Sequence, residues 1–187
     1  MKAFVINLLK NNLSPFYYYH NHEHTLYVVE KALEIGQYEK CTAKEIDLLN
    51  TAALFHDTGY LNSYAGHEEE SCLLARQYLP GYGYLAPDTD AICAMIMATK
   101  MPQSPKNKLE EIIADADLEY LGTDSAGIKS DSLFFELQSL NPLLTKEQWN
   151  RTQISFLQKH HYFTRFCKEN REPAKRIYLE KLMQDNQ

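Results

Sequence analysis

The sequence predicts one all-α domain. Apolar residues recur at helical spacing along most of the chain, and two Thr-x-x-Glu/Gln boxes mark helix starts. No stretch sustains the polar–apolar alternation of a strand, and seven Gly and seven Pro among 187 residues are too few for a turn-rich β architecture.

Residues 1–9 are a short apolar stretch with one Lys and no small-residue cleavage pattern after it, so they are not read as an export signal. Ser14-Pro15 leads into an aromatic run. From about residue 20 to 36 a helix is expected, with His24, Val28, Ala32 and Ile35 on one face and Gly36 as its stop. Thr42-Ala43-Lys44-Glu45 has capping-box spacing: the Thr hydroxyl accepts from the third amide while Glu reaches back to the cap. The helix it opens aligns Ile46, Leu49, Ala53 and His56 and should end near Asp57-Thr58-Gly59, with Gly as a left-handed cap.

A third helix is expected over 67–79, ended by Pro80-Gly81 and followed by a loop over 81–87. Pro87-Asp88-Thr89-Asp90 opens a fourth, with acids at its positive end, running to about Lys100. Two prolines prevent continuous helix over 101–105. A fifth covers about 108–121 and closes at Gly122. Further helices are expected over 131–140, from the Thr145-Lys146-Glu147-Gln148 box to about 169, and from Pro173 onward.

Apolar residues at 44% and charged residues at 24% are ordinary for a folded globular protein. The formal charge of −6 argues against a nucleic-acid polymer as partner, and no apolar run is long enough to span a membrane. Residues 151–187 hold eight Lys and Arg against four Asp and Glu, which reads mainly as solvated helix surface. Cys41, Cys72, Cys93 and Cys167 are widely spaced with no CxxC pair; the expectation is reduced thiols in a cytoplasmic protein, with no cysteine-based zinc site. Aromatic residues over 16–19 fit an interface or the core equally well, so the oligomeric state stays open.

The informative anomaly is chemical. His24 shares a face with Val28, and His56 follows Ala52 and Ala53 at helical offsets with Asp57 beside it. Asp117 is flanked at three and four residues by Ile113, Ala114, Tyr120 and Leu121 and should point inward. A buried carboxylate is costly unless it is paired or bound to a cation, and a divalent ion between two imidazoles and two carboxylates satisfies all four. Asp115 competes for the acidic role, but its neighbours Glu111 and Glu119 give a more solvated setting, which favours Asp117.

This ordered set resembles the HD-domain superfamily of metal-dependent phosphohydrolases. The resemblance rests on Tyr19-His20-Asn21-His22-Glu23-His24-Thr25-Leu26, on Ala52-Ala53-Leu54-Phe55-His56-Asp57-Thr58-Gly59-Tyr60 and on Asp115-Ala116-Asp117-Leu118-Glu119-Tyr120-Leu121-Gly122. Gly66-His67-Glu68-Glu69-Glu70-Ser71 and Ile96-Met97-Ala98-Thr99-Lys100-Met101-Pro102 reinforce it. It implies one helical HD domain over 1–187, with a motif-bearing core over 19–122 and C-terminal helices over 131–187.

It further implies that His24, His56, Asp57 and Asp117 hold one divalent ion. Mixed imidazole and carboxylate ligands suit Mn²⁺, Fe²⁺, Co²⁺, Ni²⁺ or Zn²⁺, and Mg²⁺ less well. The activity implied is hydrolysis of a small phosphorylated substrate, a phosphomonoester or phosphodiester such as that of a nucleotide, by metal-activated water. Asp57 would also orient that water, with His67 and Glu68 assisting. His20 would donate to a phosphate or pack among Tyr17 to Tyr19. Lys100 would face a phosphate or simply favour the end of its helix. The segment 160–164, with His160 and His161, reads as a tail closing over the site, and His22 as surface.

His67 is the one histidine between the His-Asp pair and Asp117, which favours a mononuclear site. The alternatives are a di-iron oxygenase of the same fold and a non-catalytic module binding a nucleotide or metal. The Glu-Asp pair that follows His-Asp in alarmone hydrolases is absent, so that activity is not assigned.

Overall fold

The computed structural model describes residues 1–186 and, among them, contains helices and turns with no strand. The ten α-helices are α1 (Lys2–Asn12), α2 (His22–Tyr38), α3 (Ala43–Phe55), α4 (His67–Tyr78), α5 (Ala86–Ala98), α6 (Lys108–Asp117), α7 (Ala126–Leu140), α8 (Lys146–Lys159), α9 (Arg165–Asn170) and α10 (Glu172–Gln184). Short 3₁₀ turns follow α3 (Thr58–Leu61), α4 (Leu79–Tyr82) and α6 (Glu119–Gly122). No described helix is long and apolar enough to cross a membrane.

Both capping boxes form: Thr42 accepts from the Glu45 amide at 3.3 Å and Glu45 accepts from the Thr42 amide at 2.7 Å, and Thr145 and Gln148 repeat the exchange. The principal core lies where α2, α3, α5 and α6 meet, around Val28, Ile35, Leu49, Ala53, Ile96 and Ile113. A smaller cluster of Tyr19, Tyr120, Leu121 and Leu157 joins the end of α6 to α8.

Several expectations are corrected. Residues 2–12 form a helix, α1, which buries Val5, Ile6 and Leu9; its N-cap is Met1, so no polar capping residue announces it. The second helix starts at 22, because the Asn21 side chain accepts from the amides of Glu23 at 2.8 Å and His24 at 3.2 Å. His20 therefore precedes the helix instead of opening it. Gly36 is not the stop: it sits within α2, where a Cβ would come within 2.8 Å of Ile46 Cδ1. Helix α7 begins five residues before the expected start at 131. The helix expected over 145–169 is broken by extended backbone after Lys159.

Gly59 is needed for close approach, not for a left-handed turn; left-handed glycines are Gly66, φ 75°, at the start of α4, and Gly83, φ 86°. A Cβ on Gly59 would lie 1.9 Å from the His67 carbonyl oxygen, inside contact distance with backbone. Gly59→Ala is expected to push the start of α4 outward and to destabilise the fold by about 1–3 kcal/mol or more, the usual cost of overpacking. Chemical denaturation checks the stability, and an unchanged midpoint would contradict the close approach.

Candidate metal centre

Three helix termini deliver the acid–imidazole cluster. His24 stands in the first turn of α2, His56 and Asp57 follow the last turn of α3, and Asp117 ends α6. One ligand atom from each of His24, His56 and Asp117 lies within 4.8 Å of the other two. Asp57 joins through Oδ2, 3.5 Å from His24 Nε2 and 3.2 Å from His56 Nε2. Asp117 Oδ1 is 3.0 Å and 3.6 Å from the same two nitrogens. His24, His56 and Asp57 are buried and Asp117 is half-buried.

The donor set fits a divalent ion. His56 Nδ1 donates to the Ala53 carbonyl at 2.8 Å, which fixes the ring and turns Nε2 toward the carboxylates. His56 Nε2 and Asp57 Oδ2, both buried, have no hydrogen-bond partner although they are 3.2 Å apart. His24 Nδ1 also lacks one. Unpartnered buried polar atoms are costly, and the two facing each other here are the kind a cation would satisfy.

The electrostatics agree. Burial acts to lower the His56 pKa, but the carboxylates of Asp57 and Asp117 outweigh it and raise it well above the ordinary imidazole value. For His24 burial prevails over Asp117 and Asp57, and the value falls. Burial opposes ionisation of Asp57 and Asp117, yet the imidazoles hold both below the usual carboxylate range, His56 chiefly for Asp57 and the His24 hydrogen bond, with His56 nearby, for Asp117. An incoming ion must therefore displace a proton from His56. Uptake is expected to release protons and to weaken as pH falls, by about tenfold per pH unit for each proton displaced. Calorimetric titration in buffers of different ionisation enthalpy counts those protons; none released would contradict the arrangement.

The two carboxylates of the cluster, Asp57 and Asp117, line a cavity of about 340 Å³, and the imidazoles lie behind them. His67 Nδ1 donates to the Tyr64 carbonyl at 3.3 Å, and its ring stacks on Tyr60 with centroids 3.9 Å apart. Its Nε2 is thereby set 3.6 Å from both Asp57 Oδ1 and Glu68 Oε1. His20 lines the same cavity, held by a residue the sequence reading missed, Glu136 of α7. Buried Glu136 accepts from the amides of Tyr19 and His20 and, at 2.5 Å, from His20 Nδ1. Burial works against the charged form of His20, but the Glu136 hydrogen bond and the Asp57 charge raise its pKa.

Other candidates lie elsewhere. Lys100, just beyond α5, is exposed and paired with Glu69; its neighbours Thr99 and Met101 line the cavity and it does not. The expectation that it faces a phosphate is corrected: the surface carboxylate takes its charge. Asp115 is fully buried, so its setting is not the solvated one expected. It accepts from the Phe163 and Thr164 amides and from the Thr164 hydroxyl, on a face of α6 away from the cluster. That staple also holds 160–164 beside α6, so this segment does not close over the metal cluster; α7 and α8 provide the upper walls. His22 is half-buried in the first turn of α2 and outside the cluster.

The model of the HD domain matches residues 21–119, a span that contains all four clustered residues. The chain belongs to the HD-domain family. This family of metal-dependent hydrolases accounts for the His, His-Asp and Asp on separate helices. In fold, the HD chain is similar to the crystal structure of a predicted HD superfamily hydrolase from an uncultured Thermotogales bacterium. The TM-score is 0.65 at 19% identity, over 98% of this chain and 90% of that one. No curated protein matches the sequence.

Proposed function

We propose that this HD protein is a phosphohydrolase that uses one divalent ion held by His24, His56, Asp57 and Asp117 to cleave a phosphomonoester or phosphodiester. The observation that carries the reading is the pair of buried, unpartnered atoms, His56 Nε2 and Asp57 Oδ2, the second belonging to a residue that lines the cavity. A bound ion would supply Lewis acidity toward a phosphoryl oxygen and lower the pKa of a coordinated water. The mixed nitrogen and oxygen donors favour Mn²⁺, Fe²⁺, Co²⁺, Ni²⁺ or Zn²⁺ over Mg²⁺.

The chain's own groups do the rest. Asp57 turns Oδ2 to the imidazoles and Oδ1 to His67, so it bridges the ligand set and the cavity and is placed to orient the attacking water. His67 and Glu68 form a proton-handling pair beside it, placed to protonate a leaving oxygen. His20, held by Glu136, donates to a non-bridging phosphoryl oxygen.

A second reading, with two ions, draws on one observation: Asp57 Oδ1 and Glu68 Oε1 each lie 3.6 Å from His67 Nε2. The test is metal analysis of purified protein with a phosphoester panel under each divalent ion. About one ion per chain, with turnover lost in Asp117→Ala, is expected. Two irons with oxygen uptake and no hydrolysis would support the oxygenase instead. Turnover surviving in Asp117→Ala would overturn the phosphohydrolase reading.

A further inference from the structure

The cavity above the cluster carries information about what it accepts. Among the described residues no Lys or Arg lines it, and its floor holds three carboxylates, Asp57, Glu68 and Asp117. An anion there would meet the ion itself and the polar rings of His20 and His67. That suffices for one phosphoryl group beside the floor. A second phosphate, extending upward, would enter a low-dielectric space with no cation, where a buried charge is costly.

The upper walls are apolar. Leu118, Leu121, Leu133, Leu137, Phe156 and Leu157 form them, with Tyr19, Tyr60 and Tyr120 nearer the floor. Away from the tyrosines, the polar side chains Ser130, Trp149 and Gln153 are already engaged with one another. Ser130 donates to Gln153 Oε1, Trp149 Nε1 donates to Ser130 Oγ at 3.1 Å, and Tyr178 donates to the same Gln153 oxygen at 3.1 Å. Little hydrogen-bonding capacity there remains for a sugar or a base. The volume, about 340 Å³, lies at the small end of the range for ligand pockets.

We propose that the chamber takes the uncharged, apolar or aromatic alcohol portion of a phosphomonoester and excludes nucleoside di- and triphosphates. This rests on the phosphohydrolase reading for the reacting end; the chamber's preference is tested without it. Trp149 is the chain's one tryptophan and stands in the chamber wall, so its emission reports occupancy.

In chelator-treated protein, the neutral nitroaromatic 4-nitroanisole is expected to quench Trp149 saturably, and 1-naphthol to compete with it. Adenosine should compete at least about tenfold more weakly, since desolvating its polar edges against the leucine-lined walls is costly. With Mn²⁺ present, kcat/KM for 1-naphthyl phosphate should exceed that for glycerol phosphate, ADP and ATP by about 100-fold, through desolvation of the aryl group. Leu137→Lys, at a half-buried wall position, should abolish the saturable quench.

Absence of saturable quenching in the wild type overturns the proposal, as does faster turnover of ADP or ATP than of the aryl ester. Selective aryl binding with no phosphoester turned over supports the chamber's preference and removes the phosphohydrolase reading. Turnover of nucleoside triphosphates without aryl binding does the reverse. The wild-type comparison decides even where Leu137→Lys fails to fold.

Discussion

His56→Ala is expected to abolish metal retention and, with it, turnover. The substitution removes a ligand nitrogen that is fully buried, oriented by the Ala53 carbonyl and unpartnered on its ligand side. Loss of an outer-sphere partner alone typically costs 10–100-fold in metal affinity, so loss of the ligand should exceed about 100-fold. The metal-free protein is affected too. There His56 is the main positive partner of Asp57, and removing one member of a buried ion pair costs about 3–5 kcal/mol.

Denaturation with and without chelator separates the two effects. The wild type should gain stability from the ion according to the ratio of free metal to Kd, whereas the variant should unfold at one midpoint under both conditions. A variant still stabilised by metal would show that His24, Asp57 and Asp117 suffice and that His56 serves the core.

The reasons this cluster was legible in the sequence while its surroundings were not are physical. His24, His56 and Asp117 stand at helical offsets from Val28, Ala53 and Ile113, and a metal-competent group on an apolar face is visible locally. The capping boxes are local as well, which is why α3 and α8 begin where their sequences indicate. Glu136 was not visible because its partners, Tyr19 and His20, lie more than a hundred residues away; the one local sign was a carboxylate between Phe135 and Leu137. Lys100 illustrates the converse. Its place after α5 suited either a phosphate or the helix end, and only the packing of α4 beside it puts Glu69 within reach. Lys175, in the basic C-terminal stretch that reads as solvated surface, is buried, with Nζ donating to the His160 carbonyl at 2.7 Å and Glu172 beside it. Charge counts along a sequence do not reveal which lysine a tertiary contact will enclose.

Asp115→Ala is expected to cost about as much stability as His56→Ala while leaving the metal bound. Two residues along a helix rotate a side chain by about 200°, so Asp115 and Asp117 necessarily serve different sides of α6. Asp117 meets the imidazoles; Asp115 meets the backbone of 163–164. Alanine at 115 strands two buried amides and a hydroxyl, each costing about 1–3 kcal/mol when unsatisfied, for a total of about 3–5 kcal/mol. For a chain of this size that lowers Tm by about 10 °C. Because the staple fixes the entry to α9 and α10, the C-terminal helices should lose protection against amide exchange before α2 and α3 do. Asp117→Ala should give the complementary result, with metal lost and a smaller change in the metal-free midpoint, since its partner His24 keeps Asp57 within 3.5 Å. If the two variants exchanged phenotypes, Asp115 would be the ligand and the orientation of α6 would have to differ by half a turn. The pair thus tests the assignment of ligand and staple in a single comparison, on residues that the sequence places only two apart.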